Sequence, residues 1–75
     1  MVKSTAYGIY PLEDLSDDAD RSFQLQAFAH HLCLTSVVPS QQGSFDVTVE
    51  GNVHDVNNWL DELGSDVDSQ TEELR

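Results

Sequence analysis

The chain has 75 residues, 39% of them apolar, and sets fourteen acidic side chains against three basic ones for a formal net charge of −11. A domain this short buries only about 60% of its unfolded surface, so it supports a single thin core, one helix layer on one small sheet. The charge excludes direct binding to nucleic acid or anionic membranes, because there are almost no cations to replace phosphate counterions, and it favours basic partners.

Met1-Val2-Lys3 leads into Ser4, Thr5 and Ala6 rather than into an apolar run. No stretch approaches the roughly 20 apolar residues that span a bilayer, so neither a targeting nor a membrane segment is expected. A single cysteine forms no internal disulfide, which points to a reducing, cytoplasmic setting. Pairing of two copies into a homodimer is one way for so small a domain to complete its core.

In chain order, "KSTAYGIYPL" is rich in β-formers and closes on Pro11, predicting a first strand over Lys3 to Tyr10. A helix is expected after Ser16, with Asp17, Asp18 and Asp20 in its first turns, where carboxylates complement the helix dipole. Leu25, Phe28, Ala29 and Leu32 make one stripe, expected to face the core. Phe23, Ala27 and Leu34 make a weaker stripe on the far side, available to a partner.

The end of this segment, "AFAHHLC", gathers two histidines and the cysteine. Read as helix, it sets His30 and Cys33 roughly 60° apart with His31 turned away. That offers two ligands on one face, whereas a structural zinc site needs four, so no metal is expected. Cys33 is instead expected as a small buried hydrophobe with His30 at a helix edge. Activation of a thiol requires neighbouring positive charge, which is missing here. Gly8, Gly43, Gly51 and Gly64 are isolated, so no phosphate cradle forms; neither catalysis nor a cofactor is expected.

"SFDVTVEG" alternates Phe45, Val47 and Val49 with Asp46, Thr48 and Glu50, the period of a strand with one buried and one wet face. The turn-rich "PSQQGS" before it joins it to Leu34–Val38 in a hairpin, with Pro39 at a strand end. Asn52 is a good N-cap, and Val53, Val56, Leu60 and Leu63 recur at helical steps with Trp59 at the stripe's edge. Gly64 ends this helix, predicted over Val53 to Leu63. "SDVDSQTEELR" has little apolar content and is expected as a frayed, flexible acidic tail over 65–75, leaving 1–64 as the folded domain.

The expected class is α+β: a small antiparallel sheet with two helices on one face, in the order β-α-β-β-α. That is most of a split β-α-β, ferredoxin-like domain, truncated unless the tail supplies a fourth strand. Leu32 to Gly51, "LCLTSVVPSQQGSFDVTVEG", followed by a helix, resembles the second half of acylphosphatase-type ferredoxin-like domains over about a quarter of the chain. The resemblance implies the fold. It does not carry the activity, because "PLEDLSDDADR" stands where that family has a glycine-rich loop ending in Phe-Arg. Pro39-Ser40 likewise stands near the place of its catalytic asparagine.

The acids fall in four groups: Glu13, Asp14, Asp17, Asp18 and Asp20; Asp46 and Glu50; Asp55, Asp61 and Glu62; Asp66, Asp68, Glu72 and Glu73. Side chains two apart on a strand or four apart on a helix stand roughly 6–7 Å from one another, a row comparable with a nucleic-acid backbone. The expected function is therefore a non-enzymatic binding module that blocks a basic surface of a partner, foremost a nucleic-acid-binding protein. Asp46, Glu50, Asp55, Asp61 and Glu62 supply the charge, and Trp59 is an anchor if exposed and core if not. The alternative is a structural subunit of a salt-adapted organism whose acidity serves solubility.

Overall fold

A computed structural model describes Met1–Leu74; Arg75, the last residue of the expected tail, lies outside the described residues. The elements are β1 (Val2–Ile9), α1 (Ala19–Ala29), β2 (Cys33–Pro39), β3 (Phe45–Gly51), α2 (Val53–Leu63) and β4 (Asp68–Glu73). Short 3-10 turns, Glu13–Leu15 and Gln41–Gly43, lie in the connections before α1 and between β2 and β3. The strands form one antiparallel sheet in the order β2-β3-β1-β4. With a helix after β1 and another after β3, this is the split β-α-β arrangement of ferredoxin-like domains. No helix among the described residues is long and apolar enough to cross a membrane.

Alternation sorts the two faces of the sheet. Val47 and Val49 of β3 and Ala6 of β1 are buried in one cluster with Phe23 and Ala27 of α1 and Val56 and Trp59 of α2, so both helices cover the same face. At Gly8 (φ +67°) the β1–β3 register shifts, a bulge that lets Ile9 return to the core opposite Phe45. α2 keeps the predicted bounds: the Asn52 side chain accepts a hydrogen bond from the His54 N–H, and Gly64 takes the positive φ that ends the helix.

Three expectations are corrected. The first concerns α1, whose inward stripe is reversed: Phe23 is 1% exposed, whereas Leu25 is 48% and Phe28 80% exposed. Small neighbours explain the choice. Ala19, Ser22 and Ala27 let the helix approach the sheet closely, and Phe23 meets Phe45 edge-on with ring centroids 5.7 Å apart. Buried Ser22 is satisfied because its hydroxyl accepts from the Leu12 N–H at 2.8 Å and from the Gln26 amide. Leu32 is buried from the connection after the helix, close over Gly51, and Leu34 is half-buried on β2.

The second correction is at "AFAHHLC". The helix ends at Ala29, His30 is its C-cap, His31 takes a positive φ of 59°, and Cys33 opens β2. Leu32 turns into the core, so strand alternation sends Cys33 to the opposite face, where it is exposed rather than buried.

The third concerns the segment after Gly64. Asp68–Glu73 pairs with β1 over six consecutive residues, from Tyr7↔Asp68 to Val2↔Glu73, so the sheet extends well beyond residue 64. Every residue of β4 is exposed, which explains why no apolar periodicity marks it in the sequence. Cross-strand bonds hold it instead. The Ser4 and Thr71 hydroxyls are 2.9 Å apart, the Tyr7 hydroxyl donates to Gln70, and the Leu74 N–H donates to the Met1 carbonyl.

Candidate functional site

The face of the sheet opposite the helices is the candidate site. Directly opposed residues of an antiparallel pair share a face, so the pairing assembles it row by row. Glu72, Lys3, Glu50 and Cys33 cross the sheet from β4 to β2; beside them run Gln70, Thr5, Thr48 and Ser36. Tyr7 opposes Asp68, and Asp46 lies across the bulge, accepting from the Gly8 N–H at 3.1 Å. The Thr5 and Thr48 hydroxyls are bonded at 2.9 Å in the middle, and the Thr35 hydroxyl donates to Glu50.

Four carboxylates thus mark the corners of a largely polar field, with Val38, 51% exposed, opposite Asp46 on the β2 side. Four residue steps along the strand take Asp68 to Glu72 and Asp46 to Glu50, about 13 Å, and one intervening strand separates the pairs by about 10 Å. Lys3 is the one formal cation in these rows. Because the carboxylates ride on paired strands rather than loops, their spacing is fixed by the ladder.

The sequence-derived residues do not form one surface. Asp46 and Glu50 lie on this open face, both half-buried, whereas Asp55, Asp61 and Glu62 project from α2 on the other side of the sheet. Glu62 contacts the His30 imidazole across from α1. Trp59 is 1% exposed within the core, so it is no surface anchor. It occupies the centre of the buried stripe because Val53, expected inward, is turned out. Its indole N–H has no acceptor among the described residues.

Sequence reasoning missed the contributions of β1 and β4. Lys3, Tyr7, Asp68 and Glu72 join the face only through tertiary pairing. The two-residue alternation of Asp68, Gln70 and Glu72 is the one local signal, and without apolar partners it does not distinguish a strand from solvated chain. Elsewhere, no group of three or more His, Cys, Asp or Glu suited to a metal occurs among the described residues. The main depressions are open and lie around the end of β1 and along the seam between α2 and β4. Comparison with family models, curated proteins and solved structures finds no match to this chain.

Proposed function

We propose that the protein is a non-enzymatic acidic binding module whose open sheet face occupies a basic surface of a partner protein, in the first place a nucleic-acid-binding one. The observation that supports this reading is the helix-free face itself, where Asp46, Glu50, Asp68 and Glu72 stand on paired strands with one lysine, Lys3, between Glu50 and Glu72. Fixed charges spaced about 10–13 Å apart attract a complementary cationic groove at long range and enforce its register on contact. They also need no reorganisation on binding, which limits the entropy lost.

The test is affinity purification from the host followed by competition with duplex DNA. The captured partner is expected to be basic, to be displaced by DNA and to release as salt rises. Reversal of Asp46 and Glu50 to lysine removes capture, whereas reversal of Asp61 and Glu62 leaves it. A partner indifferent to DNA and salt would refute the proposal.

A second reading has its own support. Asp55, Asp61 and Glu62 lie on the helix side, and Glu13, Asp14, Asp17, Asp18 and Asp20 lie around the start of α1. Carboxylates on both sides of the sheet favour acidity as a hydration device in a salty setting. That reading predicts stability still rising at molar salt and no DNA-competed partner.

A further inference from the structure

The two edges of the sheet are protected differently. β2 carries a register shift between Leu34 and Ser36 and ends on Pro39, two devices that stop strand addition. β4 has neither: its six residues pair with β1 in unbroken register, contain no proline, and are exposed throughout. Among the described residues β4 pairs with β1 alone, so its outer row of N–H and C=O groups is unpaired. Its only guard is charge, which repels a second copy, because acids set opposite acids destabilise strand pairing.

We propose that β4 is a docking edge for an extended basic segment of a partner protein, which adds to the sheet as a fifth strand. The proposal rests on the basic-partner reading above and deepens it by naming the mode of contact. Charge selects the occupant: Asp68 and Glu72 project from the open face of β4 and favour a base opposite each of them. Ser69 and Thr71 project to the other face, toward the seam with α2.

That seam holds two depressions in step with the strand. One lies at Ser69 beside Leu60 and Val67 with Asp61 at its rim; the other lies at Thr71 beside Val2 and Val53 with Glu73 at its rim. Ser69 and Thr71 are two residues apart, about 7 Å, which is also the spacing of same-side residues on any added strand. The pattern recognised is therefore a base, an apolar residue, any residue, an apolar residue and a base, in consecutive positions. It reads the same in both directions, so strand polarity is left to the partner. Backbone pairing supplies the affinity, and the alternating side chains supply the selection.

The test uses a capped synthetic peptide with lysine at its third and seventh positions, valine at its fourth and sixth, and serine elsewhere. A second peptide is identical but N-methylated along the edge that would pair. Titration into the full chain at low salt is followed by amide NMR and hydrogen exchange. The first peptide is expected to shift and protect the amides of Asp68–Glu73 and to shift the methyl groups of Val53 and Val67. Methylation is expected to weaken binding by at least about tenfold, the effect of losing one or two net hydrogen bonds. Equal binding of both peptides would overturn strand addition while leaving the acidic-face reading intact. Protection at Cys33–Pro39 instead would assign the other edge and also overturn it. Failure of both peptides to bind at millimolar concentration would overturn strand addition, while the acidic-face reading stands or falls on the DNA-competed capture of a basic partner.

Discussion

The reversed face of α1 yields the sharpest stability test. Phe23 is 1% exposed and packs edge-on against Phe45, whereas Phe28, five residues later on the same helix, is 80% exposed. Truncating a buried Phe to Ala removes its transfer free energy and leaves a cavity, for a cost of about 3–5 kcal/mol. A chain of this length has a total stability of about 4–11 kcal/mol, so Phe23→Ala removes a large share of it. Phe28→Ala changes stability by no more than about 0.5 kcal/mol, because little surface leaves water there on folding. The better helix propensity of alanine adds a few tenths in its favour. Urea unfolding followed by Trp59 fluorescence measures both variants. With a denaturant slope near 1 kcal/mol per molar, the Phe23→Ala midpoint falls by about 3–5 M or the variant is unfolded from the start. Equal losses for the two variants, or a larger loss at Phe28, would refute the inward assignment of Phe23.

Three further outcomes are expected. Thr71→Val removes the partner of the fully buried Ser4 hydroxyl and costs about 1–3 kcal/mol in urea unfolding; adding Ser4→Ala recovers most of that loss because no unpaired polar group remains. Cys33, exposed on β2, reacts with a thiol reagent in the native protein at the rate seen in urea; labelling that waits for unfolding would place the thiol in the core. Raising salt from 0.01 to 0.15 M shortens the screening length from about 30 Å, comparable with the 34 Å long axis, to about 8 Å, so Tm rises by several degrees. A plateau beyond that range fits a binding surface, whereas a continued climb to molar salt fits the hydration reading.

Local periodicity accounts for what was legible in the sequence. The alternation of Phe45, Val47 and Val49 fixes β3 and its inward face, and the spacing of Val56, Leu60 and Leu63 between Asn52 and Gly64 fixes α2 as Val53–Leu63. These signals survive folding because each element has one strongly apolar side, and burying that side dominates its free energy. They were enough to set the α+β class, the single thin core and the acidic character.

Tertiary structure decided the rest where local signals were overridden or absent. α1 offers two apolar stripes, and the sheet selects the weaker one, whose small neighbours, Ala19, Ser22 and Ala27, permit close approach around Phe23. β4 has no apolar pattern at all, yet it pairs because β1 presents an unsatisfied row of backbone groups whose hydrogen bonds no side-chain pattern records. That pairing brings Asp68 and Glu72 onto one face with Asp46 and Glu50, residues from a different strand and a distant part of the sequence. The sequence alone determined how much negative charge the protein carries; register between strands determined where that charge stands.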